Sequence, residues 1–157
     1  MLEALFLLLV ANGSPVLAQY FLGQRYAIPV DGGHRAPDGL PWFGHSKTFR
    51  GIFVAIVMTT AAAILTGHPW QTGFVFGTFA MLGDLCSSFI KRRAGMLPSS
   101  KASGLDQIPE SLFPLAVCSK ELGLMWQDVA FLVLFFWVLE VLLSIILYRL
   151  NIRNRPY

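Results

Sequence analysis

The distribution of Lys and Arg constrains this chain more than any other feature. Five apolar stretches are legible, at about residues 2–22, 52–65, 70–90, 108–117 and 129–150. A span of the bilayer needs about 20 mostly apolar residues; the second stretch is short, and the fourth is shorter still and carries Pro109, Glu110 and Pro114. The connections decide the matter. Arg25, Arg35, Lys47 and Arg50 lie between the first two stretches, Lys91, Arg92, Arg93 and Lys101 between the third and fourth, and Arg149, Arg153 and Arg155 at the end of the fifth or beyond it. The remaining connections hold only Lys120, so eleven of the 12 basic residues fall on one side if all five stretches cross. The positive-inside bias then places the N-terminus outside and the C-terminus inside. The expected fold is an all-α integral membrane protein with about five transmembrane helices, two polar cytoplasmic loops (roughly 23–50 and 91–106), and one domain over residues 1–157.

Composition agrees. Charged residues are 13% and hydrophobic residues 55%, about half the charge of a soluble domain. The net charge of +3 is accounted for by the inner loops, so nucleic acid is not expected as a partner. Cys86 and Cys118 stand in apolar stretches without zinc spacing and are read as small buried hydrophobes. Glu3 near the start argues against a secretory leader, which begins with positive charge, so the first stretch is expected to be a permanent helix.

The third stretch carries the most chemistry. Gly73, Gly77 and Ala80 recur at helical spacing, and Asp84, Ser87, Ser88 and Lys91 continue that face. Small residues let another helix approach closely; the Gly73–Gly77 pair leaves open whether that helix belongs to this chain or to a second copy, so a homodimer is not excluded. A carboxylate inside a span needs a partner or a task, and Lys91, two turns on, is far for a direct pair. Lys91, Arg92, Arg93 and Lys101 lie close in sequence to Asp84 and Asp106, a combination suited to a triphosphate and a divalent metal: Mg²⁺ takes one or two carboxylates with phosphates and waters, and cations neutralise the remaining phosphate charge. In the first inner loop, Lys47, Thr48 and Arg50 precede a helix start, which suits an anion, although no Walker spacing is present. Asn12 to Pro15 is expected to break the first helix near mid-membrane, with Asn12 and Pro15 lining a cavity or lipid site. Glu140, in the middle of the fifth stretch, is expected to line the same cavity or to bond to another helix.

Several blocks together resemble the CDP-archaeol synthase family: Ala11-Asn12 with Pro15-Val16-Leu17; Asp31-Gly32 and Asp38-Gly39; Phe43-Gly44-His45-Ser46-Lys47-Thr48-Phe49-Arg50-Gly51; Met81-Leu82-Gly83-Asp84-Leu85; Ser88-Phe89-Ile90-Lys91-Arg92-Arg93; and Leu105-Asp106-Gln107-Ile108-Pro109-Glu110. A more distant similarity to CDP-diacylglycerol synthases rests on Gly83-Asp84-Leu85, Ser88, Lys91-Arg92 and Gly95, but Gln107 and Pro109 stand where that family has Arg and Asp.

The resemblance implies a cytidylyltransferase that joins CTP and a membrane lipid phosphate, giving CDP-lipid and pyrophosphate with Mg²⁺. It implies metal at Asp84 and Asp106 and phosphates at Lys47, Arg50, Lys91 and Arg92; Thr48, Ser88 and Arg93 complete the expected polar lining, and Lys91 with the two aspartates is the expected catalytic set. The lipid phosphate, of archaeol type or like phosphatidic acid, would lie with its tails among surrounding membrane lipids between helices one, three and five. CDP-alcohol phosphatidyltransferases fit less well, because Asp31-Gly32 is not followed by their Ala-Arg order or later aspartates. A non-catalytic channel or scaffold leaves the Asp84–Lys91 face and Asp106 without a purpose.

Overall fold

The computed structural model describes residues 1–97, 102 and 104–149. Lys101, Arg153 and Arg155, named above as inner-side cations, lie outside the described residues. Five helices follow in order: α1 Leu2–Leu22, α2 Phe49–Leu65, α3 Trp70–Arg93, α4 Gln107–Val117 and α5 Trp126–Arg149. Among the described residues there are no strands, only isolated bridges in the loop before α2.

By length and composition α1, α3 and α5 are long and apolar enough to cross a membrane, while α2 is a shorter apolar helix of 17 residues. The 11 residues of α4 rise about 16 Å at 1.5 Å each, enough to run from the middle of α3 back towards its start. Its start packs at Gly83, midway along α3, and Cys118 just past its end lies 4.0 Å from the Thr72 carbonyl, near where α3 begins. The chain therefore returns to the end from which α3 set out. At that end His68, in the α2–α3 turn, also meets Glu3 of α1 at 2.9 Å.

Glycines on α3 set the helix spacing. A Cβ on Gly73 would stand 2.6 Å from that of Ala63, and one on Gly77 3.0 Å from the Cα of Ile56, both on α2. The small-residue face thus packs within this chain. On another side of α3, a Cβ on Gly83 would stand 2.7 Å from the Cα of Glu110 on α4. Nearest α4 and α2, α3 is the centre of the bundle, while α1 and α5 touch sparsely.

One half of the bundle is dry: Leu7, Leu8, Ala63, Phe76, Leu115, Val129 and Phe136 are all buried in one cluster. Its polar side chains bond within their own helices, as when the Thr59 hydroxyl donates to the Ala55 carbonyl at 2.7 Å. Cys86 and Cys118 are free thiols, and Cys118 is buried.

One expectation fails. Residues 12–15 do not break α1, which is continuous from Leu2 to Leu22 with Pro15 inside it. The Asn12 amide donates to the Leu8 carbonyl one turn back at 3.1 Å, so this polar side chain is satisfied by its own helix. The basic run also begins earlier than a loop: Lys91, Arg92 and Arg93 form the last turn of α3, where cations suit the negative end of the helix dipole.

Candidate active site

The other half of the bundle opens into a cavity of about 970 Å³ bordered by all five helices and by the loop before α2. That loop is a built structure. Asp31 accepts amide hydrogen bonds from Gly33, Phe43 and Gly44 at 3.1, 3.2 and 2.9 Å. Burial works against the Asp31 charge, but these three amides outweigh it and hold the carboxyl below its ordinary value of 3.8. The two ends of the loop pair, with Val30 N donating to the Lys47 carbonyl at 2.8 Å and Phe49 N to the Ile28 carbonyl at 3.0 Å. The Thr48 hydroxyl then caps α2 by accepting from Gly51 N at 3.1 Å, the usual way to satisfy a first-turn amide. Lys47 is thereby fixed at the cavity wall, one residue ahead of a capped helix.

From there it bridges to α3. Lys47 Nζ donates to both carboxylate oxygens of Asp84, at 2.5 and 2.7 Å, and each side chain is 23% exposed. Burial disfavours the ammonium, but Asp84 first, then Glu110 and Asp106, outweigh it and hold the Lys47 pKa above its ordinary 10.5. Asp84 therefore pairs across 37 positions of sequence and leaves Lys91 to another partner. Lys91 Nζ lies 2.6 Å from Asp106, the residue that opens α4, with the lysine 8% exposed. The Asp106 carboxylate also accepts from Ala102 N at 3.2 Å. Two ion pairs, Lys47–Asp84 and Lys91–Asp106, thus join the first loop, α3 and the start of α4 at one end of the bundle.

The remaining expected residues divide. Asn12, Pro15, Lys47, Thr48, Arg50 and Asp84 line the cavity; Ser88, Lys91, Arg92, Arg93 and Asp106 lie outside its lining. Arg92 is buried at 2% exposure, with Nε and Nη1 lacking hydrogen-bond partners among the described residues and with Asp106 in electrostatic reach. Ser88 is buried on the same helix end. Arg50 crosses to α1 and the loop after it, donating to the carbonyls of Gly23 and Arg25 and to the Gln19 side chain. Arg93 clasps the first loop, contacting Asp38 at 2.6 Å and the Pro41 carbonyl at 2.6 Å, with its guanidinium over Trp42 and Phe89.

Two acidic groups join the site: Glu140, expected to line the cavity or to bond to another helix, and Glu110, without a role assigned from sequence. Glu110 of α4 and Glu140 of α5 both line the cavity, and their carboxyl groups lie in electrostatic reach of each other. Glu110 is 6% exposed, and the tight fit of α4 on Gly83 sets it beside Asp84. Glu110 closes the Leu105–Glu110 block in sequence, but its meeting with a residue 30 positions on depends on helix packing alone.

The donor set suits Mg²⁺. Asp84 offers hard carboxylate oxygens at a cavity wall, and among the described residues no three acidic, His or Cys side chains group to enclose a metal. Mg²⁺ takes one or two carboxylates, with phosphates and waters completing its shell.

Comparison with known proteins agrees with this picture. The family model described as CDP-archaeol synthase matches residues 68–157. The CDP-archaeol synthase of Sulfurisphaera tokodaii is 33% identical over 155 residues, covering 95% of this chain and 90% of the relative. That of Pyrobaculum arsenaticum is 38% identical over 115 residues, covering 70% of this chain and 68% of the relative. Among solved structures, an intramembrane enzyme for archaeal membrane lipid biosynthesis superposes with a TM-score of 0.69 at 26% identity, covering 88% of this chain and 91% of that one.

Proposed function

This chain belongs to the CDP-archaeol synthase family, and from that premise we propose how its cavity carries out the family's reaction. The enzyme is a CTP-dependent cytidylyltransferase of the membrane, forming CDP-activated lipid from an archaeol-type lipid phosphate. An oxygen of the lipid phosphate attacks the α-phosphorus of CTP. The new P–O bond forms as the bond to the bridging oxygen of the β-phosphate breaks, and pyrophosphate leaves with that electron pair. A phosphate monoester has its second pKa near about 6, so the nucleophile is already ionised and needs no general base. What the protein must supply is alignment and charge neutralisation.

The observation that carries this reading is the Lys47–Asp84 ion pair in the wall of a cavity large enough for a nucleotide, with the Lys91–Asp106 pair outside the lining at the same end of the bundle. Asp84 would hold Mg²⁺ from the cavity wall, with Asp106 next in reach; the ion supplies neutralisation of the triphosphate when bound. Lys47 faces the cavity and is the foremost phosphate contact. Lys91 and Arg92 back the same end of α3, and the unpartnered Arg92 nitrogens are donors suited to phosphate oxygens. Arg50 lines the cavity but is engaged with α1, and Arg93 holds the first loop in place; both reach phosphate only by giving up those contacts. Asn12 and Pro15 form the α1 wall, beside the sparse α1–α5 contact where isoprenoid chains can lie against the helices.

We also assign the cavity end to the cytoplasmic face. It carries Arg25, Lys47, Arg50, Lys91, Arg92 and Arg93, whereas Glu3, Lys120 and Glu121 lie at the other, which follows the positive-inside bias. The test is transfer of radiolabelled CMP in membranes: label should pass from CTP to an archaeol-type phosphate in preference to a diacyl phosphatidic acid. Equal use of both lipids, or no transfer to either, would refute the assignment.

A further inference from the structure

The Lys47–Asp84 pair occupies both oxygens of the carboxylate that the reading above gives to the metal. An ammonium seated across both oxygens stands where a divalent cation would approach them, and the two positive charges repel each other. A metal ion therefore binds Asp84 more tightly once the lysine withdraws. Its backbone is fixed by the Val30 and Gly44 hydrogen bonds and by the capped helix that follows, so withdrawal is a swing of the side chain alone. The carboxylates that face it, Asp84 with Glu110 and Asp106 in reach, all favour its staying. Only a competing anion in the cavity offers the ammonium a comparable partner, and a triphosphate is such an anion. The second pair differs: Lys91 is buried outside the cavity lining and has no such route.

We propose that Lys47 is a resident counter-cation that keeps divalent metal off Asp84 until a nucleotide triphosphate enters and takes the ammonium, so that metal and nucleotide load together. The proposal rests on Asp84 being the metal residue, and its test separates the two ideas. Purified protein without nucleotide is titrated with Mn²⁺ alone, and bound ion is measured by electron paramagnetic resonance. The wild type is expected to bind weakly. Lys47→Met should bind at least about tenfold more tightly, within the range of ordinary site–site coupling, and Lys47→Arg, which keeps the cation, should bind as weakly as the wild type. Where Lys47→Met fails to elute as folded protein, Lys47→Gln carries the same comparison. The double variant Lys47→Met/Asp84→Asn should lose the gain. Equal Mn²⁺ affinity in wild type and in the variant without the charge overturns the proposal. A gain that survives loss of Asp84 overturns it too, by removing the metal from Asp84.

Discussion

The two halves of the bundle are built from the same helices by opposite rules. Along α3, Gly73, Phe76 and Gly77 are sealed against α2 and the dry cluster, and two to three turns later Asp84 faces a cavity and an ammonium. Along α4 the order reverses, from Glu110 at the cavity to Leu115 in the dry cluster. In the dry half buried hydroxyls such as that of Thr59 are satisfied within their own helix, so the helices can pack tightly. In the open half the ion pairs join different elements, and the Lys47–Asp84 pair lies in the cavity wall where a charged ligand can meet it. The dry half holds the helices in register so that the exchangeable contacts meet at one place.

This contrast can be broken from either side. The largest effect is expected in the open half: Asp84→Asn should lower CMP transfer by on the order of a hundredfold or more, while far-UV circular dichroism and elution in detergent stay those of the wild type. In the dry half, Phe76→Ala should cost about 3 kcal/mol of stability, read as earlier thermal unfolding in detergent, with the KM for CTP unchanged. A variant at the junction, Gly83→Ala, should sharpen the comparison by doing both. Its Cβ meets the α4 backbone, so about 1–3 kcal/mol of stability should be lost together with activity, as Glu110 moves away from Asp84.

Smaller effects belong to the loop. Arg93→Gln should cost less than about 1 kcal/mol, as expected for a partly exposed ion pair, and raise the KM for CTP modestly by freeing the residues around Trp42. Asp31 gives a pH test. Its carboxyl titrates lower in the folded loop than when unfolded, so its contribution is complete above pH 3.8 and is lost as pH falls through the depressed value. The protection of the Phe43 and Gly44 amides against hydrogen exchange, taken relative to the intrinsic rate at each pH, should therefore fall as pH drops below 3.8 in the wild type and be low at every pH in Asp31→Ala.

Much of this was legible in the sequence because hydropathy and charge placement are local properties. The five helices lie where the apolar stretches put them, with α2 starting at Phe49 and α3 running on through Arg93. The small-residue stripe on α3 marked a close helix contact. What sequence could not assign was the partner of each charge. Asp84 and Lys91 share a helix face, but the closing of the first loop brings Lys47 to Asp84, and the seating of α4 gives Lys91 to Asp106. The Glu110–Glu140 contact likewise depends on how α4 and α5 pack. The unbroken α1 shows the opposite limit: Asn12 and Pro15 looked like a helix break, yet a single turn-back hydrogen bond absorbs the amide.

The most direct test of the account is the position of Mn²⁺ in a crystal grown with CTP, located by its anomalous scattering. The ion should lie against the Asp84 carboxylate, with the triphosphate between it and the Lys47 ammonium. Manganese and nucleotide found away from this end of the bundle, with the Lys47–Asp84 pair intact, would contradict the assignment of the cavity as the site of CMP transfer.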